Sequence, residues 1–71
     1  MHSVTPRYHT RFIPASLAGE LIDLYHLART PLSGQACTRY DRMIWASNEF
    51  HKAHPEVSSN GAYKDLDGLL A

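Results

Sequence analysis

The stretch that decides the fold is Phe50-His51-Lys52-Ala53-His54-Pro55-Glu56-Val57-Ser58-Ser59-Asn60-Gly61-Ala62-Tyr63-Lys64-Asp65-Leu66-Asp67-Gly68-Leu69-Leu70. A long amphipathic segment that begins after Gly34 runs into Pro55 and stops there. Proline lacks the backbone N–H that an interior helical position donates, and its ring clashes with the preceding turn. A short polar turn follows, and a second amphipathic segment restarts beyond it. Val57 can staple against the start of that segment, with Ser58 or Ser59 as its cap. Ala62, Leu66, Leu69 and Leu70 are its expected buried positions, and Gly68 beside the end of the chain marks a helix end liable to fray. The pattern is helix, tight turn, helix.

Working toward the N-terminus, Ala36, Tyr40, Met43, Ser47 and Phe50 form one stripe of the longer helix, widened by Ile44 and the edge of Trp45. Asp41, Arg42, Glu49 and Lys52 fall mainly elsewhere on the wheel. Ser33 is the expected N-cap in the connection Leu32-Ser33-Gly34. Before it, Leu17, Leu21, Leu24 and Ala28 recur at helical spacing, flanked by Ile22 and Tyr25. Pro14 and Ser16 suit the start of this first helix. Gly19 weakens it by about 1 kcal/mol relative to alanine, and Thr30-Pro31 ends it. Residues 1–13 lack a helical period. Tyr8, Thr10 and Phe12 alternate as on an extended chain, but no second strand is evident to pair with them. An extended arm partly anchored by Phe12 and Ile13 is expected, with a flexible basic-aromatic tail as the rival reading. The fold expected is all-α: a three-helix domain over residues 14–71, with helices near 15–29, 35–53 and 59–70 and an arm over 1–13.

Composition bounds the chemistry. The chain has 71 residues, 44% of them hydrophobic, enough for one small core of marginal stability. The single cysteine, Cys37, leaves no disulfide framework and no cysteine-rich zinc site. A reducing cytoplasm is the expected compartment, and no apolar run approaches the ~20 residues that span a bilayer. Seven basic residues balance seven acidic ones, which argues against strong electrostatic capture of nucleic acid. The balance is uneven, since Arg7 and Arg11 lie in the first 13 residues with no acid beside them.

Catalytic readings find little support. His51 and His54 share one side of the second helix near its end, but zinc needs three or four ligands. Cys37 lies about four turns away, so His9, His26 or Glu56 would have to be recruited by folding. Histidines at a helix C-terminus more simply bond its free carbonyls and offset the helix dipole. The serines suit caps and turns, Cys37 at a helix start is more simply packed than nucleophilic, and neither a carboxylate pair in an apolar setting nor a glycine-rich phosphate loop is present. No enzyme activity, metal or cofactor is expected.

Two binding readings remain. The second and third helices could form a helix-turn-helix with Asn60, Tyr63, Lys64 and Asp67 facing DNA. One lysine against Asp65 and Asp67 is a poor surface for phosphates. Protein binding is the stronger reading, because aromatic and arginine side chains are the usual anchors of interfaces. Arg7, Tyr8, Arg11, Arg39, Arg42 and Trp45 are the candidate contacts, although Trp45 could equally close the core against the arm.

In Tyr40-Asp41-Arg42-Met43, in Phe50 to Val57 and in Ala62-Tyr63-Lys64-Asp65-Leu66-Asp67, the second half resembles small accessory proteins encoded by bacteriophages and prophages. The resemblance implies a non-catalytic regulator that occupies a surface of a host complex such as RNA polymerase. No residue-level role carries over from it.

Overall fold

The computed structural model describes residues 8–34 and 38–71. They form a small all-α domain of three helices, and none of the described residues lies in a strand. A single 3-10 turn, Ala15–Leu17, leads into α1, Ala18–Leu27; α2 spans Arg39–Ala53 and α3 spans Ser59–Leu70.

The entry and exit of α1 differ from expectation. Ser16 lies inside the 3-10 turn, which Leu17 N–H closes on Pro14 C=O at 2.9 Å, and the helix start has no side-chain cap. At the other end α1 stops at Leu27, two residues short of the expected 29. Here Arg29 and Thr30 donate to the carbonyls three residues back, so the chain tightens before Pro31, which disfavours helical geometry at Thr30. The turn closes at Gly34, whose φ of 86° is open to glycine but strained for other residues.

The cap of α2 is a correction as well. Thr38 takes the role expected of Ser33 in a reciprocal capping box with Asp41: the Thr38 hydroxyl accepts from Asp41 N–H at 3.2 Å, and the Asp41 carboxylate accepts from Thr38 N–H at 2.9 Å. The Thr38 N–H, and after it the Thr38 hydroxyl donating to the same carboxylate at 3.0 Å, hold the Asp41 carboxyl below its usual range. Residues 35–37, including Ala36 of the expected stripe and Cys37, lie outside the described residues. Thr38→Ala should lower stability by about 1 kcal/mol, read as a small drop in the urea midpoint. An unchanged midpoint would show that the box contributes nothing.

Pro55 ends α2 as the sequence indicates, with His54 as the last cap residue. Ser58 then caps α3 through Gly61 N–H at 2.9 Å, and buried Val57 precedes it. The core gathers Ile13, Leu21, Tyr25, Met43, Ala46, Phe50, Val57, Ala62 and Leu66 from all three helices, the turn and the arm. Buried Ser47 satisfies its hydroxyl on Met43 C=O at 2.7 Å. Two expected positions of the α2 stripe do not reach this core: Tyr40 is 61% exposed and Ile44 51%.

Candidate protein-binding surface

The non-helical segment from Tyr8 to Ile13 is held on α3 by one side chain. Asp65, fully buried, takes four hydrogen bonds from the segment. Oδ1 accepts from the Tyr8 hydroxyl at 2.6 Å and Arg11 N–H at 2.9 Å, and Oδ2 accepts from Phe12 and Ile13 N–H, each at 2.9 Å. Burial alone pushes a carboxyl pKa up, but the Tyr8 hydroxyl and the three N–H groups outweigh it and hold Asp65 below its usual value. The same hydrogen bond, with burial, raises the Tyr8 phenol.

Gly61, Asp65 and Gly68 fall at i, i+4 and i+7, one stripe of α3. A Cβ on Gly61 would meet Phe12 Cβ at 2.9 Å, and a Cβ on Gly68 would collide with the edge of the Tyr8 ring. The two glycines therefore let the segment lie against the helix, and the aspartate between them satisfies its donors. Asp65 was expected on the solvated face, as one of two acids repelling phosphates. Its burial leaves Lys64 and Asp67 as the exposed charges of α3.

The six candidate contact residues do not share one surface. Arg7 lies outside the described residues. Tyr8 is engaged with Asp65, and Arg11 gives its backbone N–H to the same carboxylate while the residue itself is exposed. Arg42 bridges α1 and α2. Its guanidinium lies 4.0 Å over the Tyr25 ring, Nη2 donates to Tyr25 C=O at 3.4 Å, and its Nε is buried without a hydrogen-bond partner. Trp45 packs half-buried on the core. Arg39 remains outward and pairs loosely with Asp67 at 3.5 Å, both largely exposed.

His51 of α2 and its cap residue His54 close local contacts. His51 Nδ1 donates to Val57 C=O at 2.6 Å, across the turn to α3. His54 Nε2 meets Glu20 Oε2 at 2.7 Å, tying the end of α2 to α1, and its ring lies 4.7 Å from that of Phe50. Among the described residues no three histidine, cysteine or acidic side chains come together as a metal site. None of the described helices is long and apolar enough to cross a membrane.

One exposed surface lies along the outer side of the α2–α3 pair, apart from exposed Phe12 and Leu27. Ile44, Ser47 and Asn48 face Ser59, Asn60 and Tyr63 across an open groove of about 220 Å³. Tyr40 lies one turn before Ile44 on the same side of α2, and the Arg39–Asp67 pair marks that end of the two helices. No charged side chain lines the groove itself.

No protein-family model, curated protein or solved structure matches the chain. The functional reading therefore rests on this surface and its chemistry.

Tyr40 and Ile44 were legible as apolar residues of α2, but not as exposed ones. The signal was excess width. Tyr40, Met43, Ile44, Ala46 and Phe50 cover more of the wheel than one core-facing side, so some of them had to face outward.

Proposed function

We propose that this protein is a non-enzymatic interaction module that binds another protein through the α2–α3 groove. The observation that carries the reading is the position of Tyr40 and Ile44, mostly exposed and one turn apart beside an uncharged groove closed by Tyr63. Scattered exposed apolar residues are ordinary on any surface. A paired aromatic and aliphatic side chain beside the amides of Asn48 and Asn60 has the anatomy of an interface, with an apolar centre and a polar edge. Its action would be steric, covering a surface that the partner uses for something else. The resemblance to phage accessory proteins makes a host complex the proposed target, with the transcription machinery first among them.

The experiment compares two immobilised baits in host lysate, the parent chain and Ile44→Asp. Ile44 is exposed, so the substitution should leave helicity by circular dichroism unchanged. A protein retained by the parent and lost by Ile44→Asp supports the reading. Identical retention by both baits refutes it. A gel-shift titration tests the helix-turn-helix alternative: DNA binding that weakens steeply with salt would replace the protein-binding proposal, and no shift at low salt is expected.

A further inference from the structure

We propose that Asn60 is a site of spontaneous covalent modification, its side-chain amide closing on the backbone nitrogen of Gly61 to form a succinimide and release ammonia. The chemistry does not depend on what binds the α2–α3 groove.

The two residues stand together for a structural reason. A Cβ at position 61 would crowd Phe12 Cβ at 2.9 Å and the Ser58 hydroxyl at 3.1 Å, so the seating of residues 8–13 on α3 calls for glycine there. A residue that precedes glycine has no neighbouring Cβ to shield its side chain from the next backbone nitrogen. Asn60 itself is exposed, so water reaches its amide.

A helix normally prevents this ring closure, because its ladder of hydrogen bonds holds each nitrogen in place. The first turn is exempt, since its N–H groups have no carbonyl four residues back within the helix. In α3 the Ala62 N–H bonds to Ser58 C=O at 3.0 Å. The Gly61 N–H, one residue earlier, is held by the Ser58 hydroxyl instead, at 2.9 Å. Rotation of one hydroxyl and fraying of one turn therefore free the nucleophile. Asn48 makes the contrast, because Glu49 follows it in the interior of α2. Asp67 also precedes a glycine, but Gly68 lies beyond the first turn of α3, and a carboxylate is a poorer electrophile than an amide.

The step needs only water. Hydroxide removes the Gly61 N–H proton, the nitrogen attacks Asn60 Cγ, and the Cγ–Nδ2 bond breaks as ammonia leaves with a proton taken from water. Water then opens either C–N bond of the ring. One opening gives aspartate; the other gives isoaspartate, with the chain rerouted through the side chain. Either product brings a carboxylate to a groove that no charged side chain lines.

The full chain, kept folded at mildly alkaline pH and then digested with trypsin, reads the outcome by mass spectrometry. Asn60 falls in the peptide 53–64 and Asn48 in 43–52. The first peptide should gain the small mass that separates a hydroxyl from an amino group and split into two chromatographic forms. The second should stay unchanged over the same period. Ser58→Ala should speed the conversion about fivefold, because loss of a cap multiplies the frayed population by about that factor. Ser58→Thr keeps the cap and should keep the parental rate. Thr38→Ala weakens the fold by a similar amount at α2, away from the site, and should also leave the rate as in the parent. Conversion through global unfolding would respond to Thr38→Ala and Ser58→Ala alike.

An Asn60 that keeps its amide in the folded chain while the urea-unfolded chain converts overturns the proposal. Equal acceleration by Ser58→Ala and Thr38→Ala overturns it too, as does conversion of Asn48 at the same rate as Asn60.

Discussion

Asp65→Ala is expected to remove a large part of the stability of this domain. A chain of this length holds its fold by about 4–11 kcal/mol. The substitution removes the acceptor for the Tyr8 hydroxyl and for three backbone N–H groups, and the Ile13 donor is buried. Removing one partner from a buried, hydrogen-bonded charge costs about 3–5 kcal/mol, most of it from donors left without acceptors. Residues 8–13 should detach and take Ile13 out of the core with them. Asp65→Asn should cost somewhat less, about 2–3 kcal/mol, because the amide keeps one oxygen but turns an N–H₂ toward groups that themselves donate. Urea denaturation followed by helical circular dichroism reads both. A midpoint for Asp65→Ala close to that of the parent would show that the arm does not depend on this carboxylate.

The same site makes the fold acid-sensitive, with a sign fixed by the direction of the shift. Asp65 and Asp41 both have carboxyl values lowered in the folded state. Each therefore contributes stability that is fully present above the unfolded value, about 3.9, and is lost as pH falls through the folded value. Tyr8 has the opposite sense. Its raised phenol value gives stability that is present below about 10 and lost as pH rises through the folded value. The urea midpoint should be level near neutral pH, fall below about pH 4, and fall again at strongly alkaline pH. Asp65→Asn should flatten the acid limb, and Tyr8→Phe the alkaline one.

Helix positions were readable because they follow from local rules. Pro55 ends α2, Ser58 caps α3, and the spacing of Leu21, Met43, Phe50, Ala62 and Leu66 marks the sides that meet in the core. The cap of α2 was harder, since Ser33 and Thr38 both suit an N-cap and only Thr38 has an acid three residues on. Asp41 was the signal for that choice. The docking of residues 8–13 was not readable from hydropathy at all, because an aspartate on an amphipathic helix scores as solvent-facing whether or not donors arrive from more than fifty residues away. A weaker signal was present in the glycines. Gly61 and Gly68 both disfavour a helix, yet both lie on one stripe with Asp65 between them, a pattern that makes sense where another backbone comes close. The binding groove was half legible: its residues were visible, but which side of α2 the other helices would leave uncovered depends on packing.

The glycines of α1 and α3 give the second large effect, and the sign of each substitution is set by what lies beside it. Alanine favours a helix over glycine by about 1 kcal/mol wherever space allows. At Gly19 nothing lies within 4 Å of the added Cβ, so Gly19→Ala should stabilise by up to about that amount. At Gly68 the added Cβ would collide with the edge of the Tyr8 ring. That ring cannot slide away freely, because its hydroxyl is held on Asp65. Gly68→Ala should therefore destabilise by about 2 kcal/mol net, the overpacking term exceeding the gain in helix propensity. Gly61→Ala should destabilise as well, since its nearest contact, Phe12 Cβ at 2.9 Å, moves only with a backbone whose N–H is bonded to Asp65, and the capping Ser58 hydroxyl lies 3.1 Å away. The decisive measurement is a double-mutant cycle. With Tyr8→Ala already present the obstacle is gone, and adding Gly68→Ala should change from destabilising to stabilising, a coupling of about 2 kcal/mol or more. If Gly68→Ala were equally harmful without the tyrosine ring, the close approach of residue 8 to α3 would have to be abandoned.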